Sequence, residues 1–410
     1  MGNVLKYLVF FILLPVMVVQ AKELTVTDVT ALRQAVEEAK DGDIIKVKKG
    51  VYLINHLEIT SSIELIGEPG AILDGQNKGE IITVKANNVL IKGLTVQNVG
   101  SSSTIDWAAI KVLEARNVQI IENIIKQGFF GIYFSASNQC LATGNIIEGS
   151  PLNEQNTGNG IHAWKCDSLF ITENRVSGHR DGYYFEFVTN SQVEHNNSFA
   201  NMRYGLHFMF SHQNAYRDNV FEHNGAGVAV MYSRNVEMTR NKFIRNWGGA
   251  AYGILLKDIT DSHISQNTFD YNTIGVVMEG CNRIGFEKNV FGNNGTAIRI
   301  QANCENVICQ YNDFLNNSFD IETNGNAVNY AFNSNFWDKY DGYDLDKDGF
   351  GDYAFRPVSL FSRLVGRIPE AMMLFRSLTA TLLDRIEKVF PTFTPENVKD
   401  LTPQMTPNIV

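Results

Sequence analysis

Gly182-Tyr-Tyr-Phe185, Gly205-Leu-His-Phe208 and Gly227-Val-Ala-Val230 repeat one phrase at a spacing of 22 or 23 residues. The phrase extends upstream to Gly131-Ile-Tyr-Phe134 and Gly160-Ile-His-Ala163, and downstream to Gly253-Ile-Leu-Leu256 and Gly275-Val-Val-Met278. Ala109 and Ala297 take the glycine slot at either end. In step with it run Asn123, Asn145, Asn174, Asn197, Asn219, Asn241, Asn267, Asn289 and Asn312, most followed two residues later by Ile, Val or Phe. A fixed period of about 20 to 50 residues is the signature of a solenoid.

Each repeat contains two short strand-like runs and no helical pattern. Val118–Ile121, Leu169–Ile171, Val236–Met238 and Ile284–Phe286 alternate apolar with polar residues, as half-buried strands do. Strands stacked coil on coil give parallel sheets, so the expected fold is all-β, a right-handed parallel β-helix. Asparagines at a fixed turn would stack as an internal ladder and hydrogen-bond turn backbone. The period widens at Ser150–Asn159 and at Trp247-Gly-Gly249, inserts expected on one binding face.

The ends of the chain read differently. Lys6, the apolar run Leu8–Val19 and Val19-Gln-Ala21 form a secretory leader, residues 1–21, too short for the roughly 20 apolar residues of a membrane span. No later apolar run is long enough to span a bilayer. Residues 22–43 are expected to cap the first coil, with an amphipathic helix over Thr30–Lys40, and 44–336 to form the β-helix. An Asp-rich loop, 337–357, and a helix with a Pro-containing tail, 358–410, follow. That helix, broadly apolar through Phe361, Met372, Met373, Phe375, Leu378, Leu382 and Leu383, either caps the last coil or docks on a partner.

The formal charge of −9, which loses a further positive charge with Lys6, argues against a nucleic-acid partner. Five cysteines, Cys140, Cys166, Cys281, Cys304 and Cys309, match no metal-binding spacing. Cys281 and Cys304 fall at similar places in adjacent coils and either bridge or remain buried thiols.

Strand side chains alternate, so aligning coils on the glycine puts two columns on the outer face. One is Tyr133, His162, Tyr184, His207, Ala229, Leu255, Val277, Arg299; the other is Ser135, Trp164, Glu186, Met209, Met231, Lys257, Glu279, Gln301. Ile161, Leu206, Phe208, Val228 and Val230 between them form the core. His207 and Met209 share a strand, and Met231 lies one coil, about 4.8 Å, above Met209. Thioether and imidazole ligands suit Cu(I) in an exported protein. Glu186 and His162, the latter two coils or about 10 Å from His207, are the further candidates. The bland reading has both methionines packing beneath a loop. The same face admits polysaccharide β-elimination on uronans, as a lyase or epimerase, with Tyr184, His162 and His207 as acid and base and Glu186 and Arg299 nearby.

Asp344, Asp346, Asp348 and Asp352 occupy positions 1, 3, 5 and 9 of a calcium loop, with Gly349 at 6. Position 12 is Phe355 rather than a bidentate Glu, so Asp338 or Asp341 would complete the shell of a structural Ca²⁺.

Tyr204-Gly-Leu-His-Phe-Met-Phe-Ser211, Gly227-Val-Ala-Val-Met-Tyr-Ser233 and Ala251-Tyr-Gly-Ile-Leu255 resemble the NosD family of nitrous oxide reductase maturation proteins. So do Asn335-Phe-Trp-Asp338, Tyr343-Asp-Leu-Asp-Lys-Asp-Gly349 and Arg356-Pro-Val-Ser-Leu-Phe-Ser-Arg363. The resemblance implies a periplasmic, non-enzymatic accessory of an ABC-type ATPase and its membrane permease, held at the inner membrane through those partners. It implies a role in copper delivery and copper-sulfur centre assembly, with a copper chaperone lipoprotein and nitrous oxide reductase as further partners. In that setting the helix from Phe361 becomes a foot on the permease. The resemblance does not supply the copper ligands, which rest on the stacking of His207, Met209 and Met231.

Overall fold

The computed structural model describes residues 21–102, 104–151, 153–154, 157–324, 330–374, 377–389 and 398–408. The expected leader, apart from Ala21, lies outside the described residues, as does Phe375. The chain winds into a right-handed parallel β-helix, as the period requires. Its walls, among the described residues, are sheets of 14, 13 and 12 strands, each strand bonded to those one coil away. Each coil carries three strands where the sequence showed two. The additional one, such as Ile124–Lys126 or Val220–Glu222, is three residues long and turns a single side chain inward. A run that short carries no alternation to read.

The repeated glycine belongs to the 12-stranded sheet and is required by space. A Cβ on Gly182 would lie 2.6 Å from the Gly205 carbonyl oxygen, and one on Gly205 2.8 Å from that of Gly227. Gly253 and Gly275 would meet the next carbonyl at 2.6 Å each. None of these glycines adopts positive φ, so close coil approach, and no special backbone angle, excludes a side chain.

The asparagine ladder is continuous from Asn123 to Asn335. At each rung the backbone N–H and the side-chain amide both donate to Oδ1 of the next asparagine, as from Asn219 to Asn241 at 3.0 and 2.9 Å. The amide also donates to a strand carbonyl, Val193 in that case. The rung expected at Asn197 is Asn196, and Asn197 opens the next strand. A period that alternates between 22 and 23 residues cannot choose between adjacent asparagines. A second ladder, Asn201, Asn224, Asn246, Asn272, Asn294 and Asn317, supports the next corner. Between the ladders, Phe221, Phe243, Phe269, Phe291, Phe314 and Trp337 stack down the core with centroids 4.1–5.5 Å apart. Such pairs add about 0.5–1.5 kcal/mol each beyond area burial. All five cysteines are buried and free, and the Cys281 N–H points at Cys304 Sγ, 3.5 Å away.

Both ends are covered. Helix α1, Val29–Glu37, is N-capped by Asp28, which accepts from the Thr30 and Ala31 N–H groups, and it buries Leu32 and Val36 over the first coil. The strand Glu23–Val26 before it already pairs with Ile44–Val47, so the sheet begins inside the segment expected to be cap alone. At the far end the tail returns to the solenoid. Asp400, fully buried, accepts from the N–H of Ser334, the N–H and side-chain amide of Asn335, and Trp337 Nε1, ending the asparagine ladder. Helices α2, Leu360–Arg367, and α3, Leu378–Val389, pack over the last strand of the 12-stranded sheet, where Phe361, Leu364, Val365, Ala380 and Leu383 gather on Phe319.

Candidate metal-binding face

The outer face of the 12-stranded sheet is bordered at one corner by turns of very unequal length. Residues 98–107, 149–160 and 245–253 form long connections there, whereas 178–180, 200–203 and 223–225 are tight. Both expected inserts fall on this border, with three tight turns between them. His207 and Ala229, in an outward column, are nevertheless only 6% and 0% exposed. The Tyr204 ring covers His207 at 4.9 Å between centroids, and Tyr252, from the 245–253 insert, lies 6.3 Å beyond it.

The register places the expected column residues apart from Gln301, which lies one residue past the strand Thr296–Ile300. Tyr133, His162, Tyr184, His207 and Ala229 are partners in successive strands, as are Ser135, Trp164, Glu186, Met209 and Met231. Rings meet along the first column with centroids 4.5, 4.9 and 5.0 Å apart from Tyr133 to His207, the middle pair stacked and the outer two edge-to-face. The Tyr184 ring thus stands between His162 and His207, and those two histidines cannot share an ion. His162 Nδ1 meets the Asn159 amide at 3.1 Å, while burial and Arg180 push its pKa down to about 3, so the ring is neutral. The Tyr184 hydroxyl donates to Glu186 Oε2 at 3.4 Å and approaches Met209 Sδ at 3.9 Å. Burial and Glu186 push its pKa up to about 12.

His207 is held from behind. Its Nδ1 lies 3.5 Å from Arg203 Nη2 and 3.6 Å from Asp181 Oδ2. Arg203 clasps Asp181 through Nε and Nη2 at 2.9 and 2.5 Å, and the carboxylate is fully buried. Burial alone would raise the Asp181 pKa, but Arg203 and His207 more than offset it and hold the carboxyl below its usual range. His207 Nε2 has neither a hydrogen-bond partner nor solvent. A buried, unpaired imidazole nitrogen calls for an explanation, and a ligand is one, although the ring nitrogens of His179 are unpaired as well. With Met209 two residues on and Met231 in register beside it, the donor set is one imidazole and two thioethers, soft ligands suited to Cu(I). Phe187, Phe210 and Tyr232, exposed and stacked at 5.3 and 5.0 Å, occupy the adjoining corner. Asp181 and Arg203 escaped the sequence reading. The signal was there: the residue before each repeated glycine is Phe130, Asn159, Asp181, Tyr204, Ala226, Tyr252 or Ile274, and only one is an acid.

Other expected residues are dispersed. Arg299 stands four strands beyond His207, about 19 Å at one strand spacing each, and its guanidinium is bonded to Glu322 at 2.9 Å. It is therefore not near Tyr184, a correction that follows from counting coils. Lys257, the other cation in the columns, faces Glu279 at 3.4 Å. Asp344, Asp346 and Asp348 bring carboxylate oxygens within 4.8 Å of one another. Asp352 accepts from the Leu345 N–H at 2.7 Å. Asp338 is committed to the Asn316 N–H and Phe355 packs on Trp337. In the helical segment Phe361, 3% exposed, faces inward with Leu383, contrary to a docking role, because Phe319 offers them a surface to cover. Met373 at 89%, Leu378 at 82% and Leu382 at 53% exposed face outward; Met372 has its backbone in the turn of 310 helix Pro369–Leu374.

An all-β parallel β-helix with an imidazole and two thioethers close on one sheet face defines the class: a parallel β-solenoid. Residues 143–342 match the family described as "Periplasmic copper-binding protein (NosD)". The chain is 30% identical over 368 residues to the "Probable ABC transporter binding protein NosD" of Pseudomonas aeruginosa, covering 85% of each. It is 28% identical over 375 residues to the protein of the same description from Stutzerimonas stutzeri, covering 85% of this chain and 83% of that one. The chain belongs to the NosD family. Among solved structures it is similar in fold to PfbA, a surface adhesin of Streptococcus pneumoniae, with TM-score 0.59, 13% identity, and 75% of this chain and 93% of that one covered. It is also similar to the Yersinia enterocolitica family 28 exopolygalacturonase, with TM-score 0.57, 11% identity, and 78% and 79% covered. No helix among the described residues is long and apolar enough to cross a membrane.

Proposed function

We propose that this protein is a periplasmic copper-handling accessory of an ABC-type ATPase and permease, serving copper delivery and copper-sulfur centre assembly in nitrous oxide reductase. A copper chaperone lipoprotein would supply the metal and the reductase would receive it. Cu(I) is cargo, held transiently by His207 Nε2, Met209 and Met231. The observation that carries this is the buried, unpartnered Nε2 beside two methionines in register. The exposed residues Met373, Leu378 and Leu382 would meet the permease, leaving Phe361 and Leu383 to hold the helices on the solenoid. Ca²⁺ at Asp344, Asp346, Asp348 and Asp352 would have a structural role beside the Asp400 cap, since Phe355 pairs with Asp400 just after that loop. Competition with a chromogenic Cu(I) chelator tests the copper reading: Met209→Ile with Met231→Ile should bind copper at least 10-fold more weakly, about 1.4 kcal/mol. Unchanged affinity would remove this site.

The uronan lyase or epimerase is the second reading, raised by the shared fold. Against it stand the Tyr184 hydroxyl with its raised pKa, the neutral His162 and the Glu-paired Arg299. Unsaturated or epimerised sugar from alginate or pectin, lost in Tyr184→Phe, would restore it.

A further inference from the structure

Asp181 reaches His207 from the side opposite the nitrogen without a partner. One of its oxygens accepts from Arg203 Nε at 2.9 Å and from the Tyr204 N–H at 3.3 Å. The other bonds Arg203 Nη2 at 2.5 Å and lies 3.6 Å from His207 Nδ1. Arg203 Nη2 is also 3.5 Å from that ring nitrogen. Two arrangements of one proton compete here. If Arg203 donates to Nδ1, the imidazole proton sits on Nε2 and blocks coordination there. An imidazole that binds metal through Nε2 carries its proton on Nδ1, where a guanidinium has no lone pair to accept it and a carboxylate does.

Resting on the copper reading above, we propose that Asp181 is the positioning residue for His207, accepting its Nδ1–H so that the Nε2 lone pair is presented to Cu(I). Arg203 supplies the counter-charge that lets a carboxylate stay ionised in a fully buried position. Without copper, Arg203 Nη2 donates to Nδ1 and the proton rests on Nε2. Loading forms the Nε2–Cu(I) bond and breaks the Nε2–H bond, one proton being released from Nε2 as one is taken up at Nδ1. The contact to Asp181 then closes from 3.6 Å to hydrogen-bonding distance, and Nδ1 changes partner from Arg203 to Asp181. The same strand geometry that puts Met209 in register with Met231 puts Asp181 in register with Tyr204, three residues before His207. Donors and positioning group are thus set by three successive coils.

The test uses full-length protein with ¹⁵N-labelled imidazoles, with and without Cu(I) buffered by a bidentate chelator under anaerobic conditions. The proposal expects the His207 proton on Nε2 without copper and on Nδ1 with it. Asp181→Asn, whose amide donates to Nδ1 and favours the wrong tautomer, should bind Cu(I) about 10- to 100-fold more weakly. A loaded protein with the proton on Nε2, or an Asp181→Asn protein with wild-type affinity, overturns the proposal. Should Asp181→Asn fail to fold, the wild-type spectra decide alone. The two failures separate cleanly: loss of affinity in Met209→Ile with none in Asp181→Asn rejects only the positioning role. Unchanged affinity in both rejects the copper site itself.

Discussion

Replacing Asp400 by Ala should unfasten the C-terminal cap and little else. The substitution strips the acceptor from the Ser334 N–H at 3.1 Å, the Asn335 N–H at 2.9 Å and Trp337 Nε1 at 3.1 Å. Asn335 and Trp337 are 0% and 1% exposed, so their donors cannot turn to water in place. An unsatisfied buried donor costs about 1–3 kcal/mol, which puts the pair at about 2–6 kcal/mol in a rigid cap. The tail offers an escape: if residues 398–408 peel away, water reaches the donors, and the cost is limited to the tail's own docking energy. Apart from the Asp400 carboxylate, the tail is held by backbone bridges from Asp400 to Phe332 and Phe355 and from Gln404 to Phe336 and Phe350, by the buried Val398, and by the Asn408 contacts to Asp313. Peeling forfeits those contacts as well, so it limits the cost only where they are worth less than the stranded donors. Because a solenoid loses stability locally, the readout is amide exchange at Ser334 and Asn335 together with proteolysis of the tail, beside a denaturation curve. Asp400→Ala should lose protection at both amides and lower the stability of the last coils by about 2–4 kcal/mol. Asp400→Asn, keeping one acceptor oxygen, should fall between. Unchanged exchange and an unchanged midpoint would refute the cap.

His179 occupies the rung before Asn201 of the second ladder, its N–H donating to Asn201 Oδ1 at 3.1 Å. Its ring nitrogens have no hydrogen-bond partner, although the Gly158 and Phe129 carbonyls lie near, and burial pushes its pKa down to about 4. The unfolded chain therefore binds the extra proton as pH falls from about 6.5 towards that value, and up to about 3 kcal/mol of stability is lost across the window. His179→Asn should remove much of that acid sensitivity in denaturation measured at pH 7 and pH 4.5; an identical loss in both proteins would count against it. Calcium at 100 times its dissociation constant should stabilise the C-terminal coils by about 2.7 kcal/mol. The effect should vanish with EDTA or in Asp344→Asn with Asp346→Asn, and equal melting in all three conditions rejects the calcium loop.

Most of the fold was legible because one constraint, the collision of a glycine Cβ with the next coil, repeats in every coil from Gly131 to Gly275. Aligning Gly182, Gly205 and Gly227 was enough to place Tyr184 beside His207 and Met209 beside Met231, since a parallel register without shifts turns sequence spacing directly into position. What escaped lay outside that logic. The strand Val220–Glu222 has one inward residue and so no pattern, and the second ladder threads through turns whose lengths vary. The contacts of Asp181 with Arg203 and His207 link positions that the glycine alignment does not put in one column. Asp400 meets Asn335 across 65 residues with no repeat between them. In the helical segment the hydrophobic face was readable, but its division was not. Phe319, on the last strand, decides that Phe361 and Leu383 turn inward while Leu378 stays out.

The position of His207 along the stack has a consequence for metal retention. Its strand has six others of its sheet on the N-terminal side and five on the C-terminal side. Solenoids open from their ends, and each further coil released adds its own free-energy cost to the opening. Fraying that begins at the Asp400 cap or at α1 must therefore unzip about five coils before it loosens His207, the residue proposed to hold copper. The C-terminal helices can detach, rearrange or be pulled upon by a partner while the metal face stays shut. Release of Cu(I) from the proposed site would then come from the side, through the Tyr204 and Tyr252 cover, which would make exchange kinetics a property of two rings and one insert rather than of the stability of the whole molecule.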